Sequence, residues 1–195
     1  ALDVAKKMLS KHENIIFLHA NANNHNLLPA SQDFGYSLGV LHHIPDTNKA
    51  LQASVKLLKQ GAPFLLYLYY RFDNRPLWFQ LIWRMSNILR KIISQMPDLI
   101  KVFMTDLIAI LIYFPLARLS KFIELIGLNP MGLPLSFYRN SSFYTMRTDS
   151  RDRFGTPLEQ RFTQKEISQM MLDAGLVDIQ FSDNEPYWVA VGTKA

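Results

Sequence analysis

The stretch Asp33–Asp46, DFGYSLGVLHHIPD, decides how this chain of 195 residues is read. Phe34–Leu38 is short and apolar and predicts a strand. Gly39 follows where the chain must turn, then the pair His42-His43, then Pro45-Asp46 at a helix start. The helix predicted over Asp46–Lys59 has one apolar side, built from Ala50, Leu51, Val55, Leu57 and Leu58, and ends in Lys59-Gln60-Gly61. Ala62–Tyr70, APFLLYLYY, is a second apolar run of strand length. Upstream, Asn14–Ala20, NIIFLHA, reads as another buried strand, preceded by a helix over Ala1–Leu9. Apolar strands separated by helical patterns predict a parallel sheet covered on both faces.

The pattern returns at the C-terminus. Thr163 followed three residues later by Glu166 is a capping box. It opens a helix over Gln164–Ala174, stopped at Gly175, with strands predicted at Val177–Ser182 and Tyr187–Thr193. The middle differs. Arg71–Gly127 is helical in pattern, rich in Trp, Leu and Ile, and divided by Pro97, Asp98 and Pro115 into two or three helices. Leu128–Arg161 reads as irregular, with three prolines and five arginines. Three zones result: 1–70, a middle of 71–162, and 163–195.

Composition narrows the function classes. A chain that is 49% apolar and 19% charged is long enough to bury a core. With no cysteine there is no disulfide framework, no Cys-ligated metal and no thiol nucleophile. The net charge of +5 comes without a nucleic-acid motif, and acids interrupt the basic residues, so nucleic acid is set aside as a partner. The apolar run between Lys101 and Arg118 is 16 residues and contains Asp106. A span needs about 20 residues, so this run predicts a buried or membrane-surface helix. No metal site is expected, because His42-His43 are adjacent and His12, His19 and His25 lack a paired spacing with a carboxylate.

Taken together, the order from Asp33 to Tyr70 resembles the class I S-adenosylmethionine-dependent methyltransferases, in particular the branch of ubiquinone and menaquinone C-methyltransferases. In that family the fourth strand leads into a turn ending in His, a helix closed by an LKPGG-like segment, and a fifth strand. Here these are SLGVLHH, the helix ending LKQG, and PFLLYLY. Leu18–Pro29, LHANANNHNLLP, is similar to the third strand and the turn after it, and Glu166–Leu176 to the helix before the last two strands. The resemblance covers 1–70 and 163–195, about half of the chain. It implies an α/β Rossmann-like sheet of order 3-2-1-4-5-7-6, here without the first two strands, and a long helical insertion after strand 5. The family's glycine-rich loop and the acid that holds the ribose are absent, and the chain opens inside a helix without Met. A truncated N-terminus is therefore expected, with 1–195 alone poorly soluble, inactive and unable to bind cofactor.

The resemblance also assigns residues. Asn21 and Ala22, after the third strand, would meet the adenine, with the Asn21 amide oxygen accepting where the family has Asp. Ser37, Leu38 and Gly39 would meet the methionine part of S-adenosyl-L-methionine, Gly39 permitting close approach. His43 is the candidate catalytic residue, as a general base. The acceptor is expected to be a small or lipophilic molecule held by the insertion 71–162, whose aromatic side chains suit a large apolar group. Tyr70, Tyr144 and Arg147 are the candidate acceptor contacts, with Tyr144 and Arg147 pointing inward from an irregular segment that closes over the acceptor. A second reading is a peripheral membrane or non-catalytic protein using the apolar helices 77–126 as an interaction surface, since Trp78, Trp83, Arg84, Arg90 and Lys91 combine aromatic and basic character. The location expected is the cytoplasm, free or at a membrane surface. Sequence does not set the oligomeric state.

Overall fold

A computed structural model describes residues 2–22, 26–184 and 186–195. The chain folds as two units, Ala1–Tyr70 with Phe162–Ala195, and Arg71–Arg161.

The first unit contains α1 (Leu2–Met8), β1 (Gly35–Leu38), α2 (Thr47–Val55), β2 (Pro63–Tyr67), α7 (Gln164–Asp173), β3 (Leu176–Phe181) and β4 (Val189–Lys194). Its four strands lie in the order β1-β2-β4-β3. β1 and β2 are parallel, with Tyr36 opposite Leu65; β2 and β4 are antiparallel, as are β3 and β4. This is the 4-5-7-6 half of the expected sheet. Phe64 and Leu66 of β2, Ala50, Leu51 and Val55 of α2, Ile167 and Met171 of α7, and Ala190 of β4 form one core. Fully burying an aliphatic side chain such as Leu51 or Leu66 contributes about 2 kcal/mol relative to leaving it in water. Burial in β1 and β2 alternates along the strand, so α2 and α7 cover one face. The continuous apolar runs predicted cover on both faces, and Tyr36 and Leu38 correct that, standing exposed on the other.

Other details also differ from the sequence reading. Asn14–Ala20 forms no strand: among the described residues no strand lies beside it to complete a ladder, and Ile16 and Leu18 are exposed. The helix after Asp46 ends at Val55 rather than Lys59. Leaving the helix there lets Leu58 bridge to Gln32 in parallel and enter the core. β3 carries a bulge between Val177 and Gln180. The capping box forms as read: Thr163 Oγ1 accepts from the Glu166 N–H at 3.2 Å, and the Thr163 N–H donates to Glu166 Oε2 at 2.7 Å. Ala1 of the predicted first helix lies outside the described residues, as do Asn23, Asn24 and His25 of the Leu18–Pro29 stretch.

The second unit is helical, with α3 (Leu77–Ile93), α4 (Asp98–Ile108), α5 (Phe114–Leu125) and α6 (Phe143–Gly155). α4 and α5 are joined through a π-helical segment, Ala109–Tyr113, so one helix runs over Asp98–Leu125. Pro115 does not break it, because the wide turn before Pro115 accommodates a residue that cannot donate. α6 corrects the reading of Leu128–Arg161 as irregular. Ser142 caps it by accepting from the Thr145 N–H at 3.1 Å, and α6 packs on α3 and α4. Its core side chains are Met146 and Phe154, with Ser150 donating to the Thr105 carbonyl at 2.8 Å.

Candidate functional site

The carboxyl ends of β1 and β2 are where ligands of open α/β sheets sit. β1 ends in Ser37-Leu38, and Gly39 turns the chain at φ +69, a conformation that costs side-chain-bearing residues. The Gly39 N–H donates to the Tyr67 carbonyl at 3.0 Å, which fixes the turn against β2. A Cβ at Gly39 would meet only the Tyr67 ring, at 3.9 Å, so the space above this strand end is open. Leu41–His43 then forms a single 3-10 turn, and Asp46 caps α2 by accepting from the Lys49 N–H at 3.0 Å. That bond holds the Asp46 carboxyl below the usual aspartate range. Thr47 Oγ1 lies 3.1 Å from the Leu41 carbonyl and 3.3 Å from that of Ile44, closing the turn from below.

The two histidines differ. His42 is fully buried, its ring stacked on Tyr69 at 3.8 Å, and its Nδ1 accepts from the Tyr69 N–H at 3.4 Å. His43 is half-buried, edge-on to Tyr69 at 5.9 Å. His42 therefore joins the turn to the end of β2, while His43 is the member with solvent access. Sequence reasoning named the pair; the structure separates a packing residue from an accessible one.

The other predicted residues fall as follows. Asn21 is exposed, while Ala22 packs against the core cluster that contains Leu41. Tyr70, just past β2, bridges to Phe162 and packs edge-on to Tyr187 at 5.6 Å, near Trp188 at 6.4 Å. Tyr144 and Arg147 belong to the second unit. Tyr144 stands 76% exposed on α6. Arg147 is engaged: Arg147 and Arg151 each make a two-point contact to Asp106, with N···O distances of 2.9–3.0 Å. Two guanidinium groups hold the Asp106 carboxyl below its ordinary value. Sequence reasoning placed Arg147 toward an acceptor; the structure uses it to fasten α6 to α4, because Asp106 is a ready partner on the facing helix.

Sequence reasoning also passed over a buried cluster in this unit. Glu159 is enclosed and paired with both Arg153 and Arg161. Burial, with Arg161 nearby, pushes the Arg153 guanidinium down to about 10. Arg90 donates to the carbonyls of Thr156 and Pro157 at 3.0 and 3.1 Å, tying the following loop to α3. The arginines near 139–161 are the visible signal, with Glu159 two residues from Arg161; the link from Arg90 to Thr156 and Pro157, 66 and 67 residues away, is what no local pattern shows.

Comparison with known proteins agrees with this fold. Residues 1–66 match the family described as "Methyltransferase domain". No curated protein sequence matches the chain. Among solved structures, a SAM-dependent methyltransferase from Methanosarcina mazei superposes with a TM-score of 0.51 at 12% identity, over 100% of this chain and 77% of that one. A SAM-dependent methyltransferase from Thermotoga maritima gives 0.48 at 14% identity, over 97% and 70%. A putative methyltransferase from Bacillus halodurans gives 0.49 at 10% identity, over 93% of this chain and 52% of its own. The fold, shared with the Methanosarcina mazei structure, is Rossmann-like α/β.

The strand end that the resemblance assigns to the methionine part of S-adenosylmethionine is open. The Gly39 turn offers open space at a strand end, and the Asn21 amide is exposed.

Proposed function

We propose that the protein transfers a methyl group from S-adenosyl-L-methionine to a small or lipophilic acceptor. The observation that carries this reading is the turn Ser37–His43, which lies at the carboxyl end of β1, inside the residues that match the methyltransferase domain. Ser37, Leu38 and Gly39 would hold the methionine part, and Asn21 and Ala22 the adenine. The cofactor brings a methyl group already activated on a sulfonium, so the protein's task is placement. His43, accessible beside Tyr69, is suited to take a proton from the acceptor. Tyr70 supplies an aromatic wall at the end of β2, packed edge-on to Tyr187.

Equilibrium binding of S-adenosylmethionine to the product of the whole gene tests this, with Gly39→Trp as the comparison. Binding that Gly39→Trp abolishes, while circular dichroism shows an unchanged fold, is the expected result. Absence of binding, or binding that Gly39→Trp leaves unchanged, refutes it.

A further inference from the structure

α3 is amphipathic in the wrong direction for a water-facing helix. Its inner side mixes the apolar Phe79 and Ile93 with Gln80, Trp83, Ser86, Asn87 and Arg90, all half-buried or buried. Several of these side chains bond within the unit, as Arg90 does to Asn87 at 2.9 Å and to the loop carbonyls. Its outer side is Leu77, Leu81, Ile82, Met85, Ile88 and Ile92, each more than half exposed. The spacing is helical, so these side chains form one stripe the length of the helix. The long helix Asp98–Leu125 repeats the arrangement: Thr105, Ala109, Tyr113, Ala117 and Ser120 are buried, while Leu99, Phe103, Leu111, Phe122 and Leu125 are exposed. α3 and α4 both pack on α6, where Ile93 and Ile108 share a core with Met146 and Phe154, and the exposed stripes lie on their other sides. An exposed apolar surface of this extent marks an interaction site.

Charge identifies the occupant. Residues 71–161 carry thirteen Lys and Arg against seven Asp and Glu, a net +6; the remainder carries eight against nine, a net −1. The whole excess of positive charge therefore sits on the unit with the apolar helices. On α3 itself, Arg84 and Lys91 are exposed beside the stripe, and Trp78 stands at its N-terminal end. Apolar stripe, flanking cations and a terminal Trp are the features of a helix that lies in the headgroup region of an anionic bilayer.

We propose that the second unit docks on anionic membranes through the outer faces of α3 and α4–α5. It lies in the surface rather than spanning. Asp98–Leu125 is long and apolar enough to cross, but Asp106 lies within it, bound to Arg147 and Arg151 of α6. A span would take that charged helix into hydrocarbon with it. A surface position leaves α6 in water. This inference does not depend on the methyltransferase reading, because it is measured without cofactor.

The test is co-sedimentation of the whole protein with vesicles of phosphatidylcholine alone and of phosphatidylcholine with phosphatidylglycerol at three to one. Expected are at least tenfold stronger partitioning to the anionic vesicles, release by high salt, and a blue shift of Trp fluorescence that Trp78→Phe removes. Leu81→Glu with Ile88→Glu should weaken partitioning about tenfold. Should that pair unfold, Arg84→Gln with Lys91→Gln leaves the stripe intact and should lower the preference for anionic vesicles several-fold. Equal partitioning to both vesicles, no partitioning, resistance to alkaline carbonate extraction, or a vesicle-free dimer that Leu81→Glu with Ile88→Glu dissociates would each overturn the proposal.

Discussion

Replacing His42 and His43 one at a time separates the two roles assigned at the end of β1. His42→Ala removes a fully buried ring stacked on Tyr69 and the acceptor of the Tyr69 N–H. Loss of this acceptor by the half-buried Tyr69 N–H costs about 1–3 kcal/mol. The cavity left by the imidazole adds about 2 kcal/mol, toward the low end of large-to-small core substitutions. The sum is roughly 3–5 kcal/mol, and at about 2–4 °C per kcal/mol for a chain of this size it lowers Tm by roughly 10 °C. His43→Ala removes a half-buried ring and should cost under about 1 kcal/mol. His42→Gln retains an acceptor without the stacked ring and should fall between. Thermal melting by circular dichroism and urea titration both read these values. Equal losses for His42→Ala and His43→Ala, or a His42→Ala loss below about 1 kcal/mol, would refute the assignment. If His43 is the base, His43→Ala in the active protein lowers turnover while Tm stays within a few degrees.

Gly39→Ala should cost about 1–2 kcal/mol in urea titration through left-handed strain alone, since its Cβ would clash with nothing nearer than 3.9 Å, and Gly39→Asn should cost less. Tyr36→Lys with Leu38→Lys places charge on the exposed side chains of the edge strand β1, and should reduce light scattering of concentrated samples while Tm moves by no more than a few degrees. Asp106 has its folded-state pKa held below 3.8 by Arg147 and Arg151, so its stabilisation is complete above that value and is lost as pH falls through the lower folded value. The stability difference between wild type and Asp106→Asn, measured by urea titration, should therefore be constant near pH 6 and shrink as the pH is lowered from about 4 toward 2.

The sheet was legible because its strands and caps are local. SLGVLHH, LKQG, PFLLYLY and the Thr163–Glu166 box each specify a strand end, a stop, a strand or a cap within a few residues, and α2, β2 and α7 follow from them. What failed was non-local. NIIFLHA has strand character, but a strand exists only beside another, and none among the described residues pairs with it. α6 was read as irregular because its sequence, FYTMRTDSRDRFG, has almost no apolar period; it is held instead by Ser142 at its start and by Arg147 and Arg151 on Asp106. Within the candidate site, the Gly39 turn was legible from the glycine. The difference between His42 and His43 depends on Tyr69, 27 residues from His42, and could not be read from the dipeptide.

The apolar helices show the same limit from the other side. A stripe recurring at 3.6 residues says that a helix has one apolar face; it does not say which way that face looks. For α2 the reading of the stripe as core was correct, since Leu51 and Val55 are fully buried. For α3 the same rule would have placed Leu81 and Ile88 in the core and Arg90 in water. The structure inverts both: Arg90 is buried and donates to the carbonyls of Thr156 and Pro157, while Leu81 is 60% exposed. A polar network such as that of Arg90 inside, with bare aliphatic groups outside, is costly in water and stable against lipid. The direction of the α3 stripe is thus the observation from which membrane docking of the helical unit is proposed.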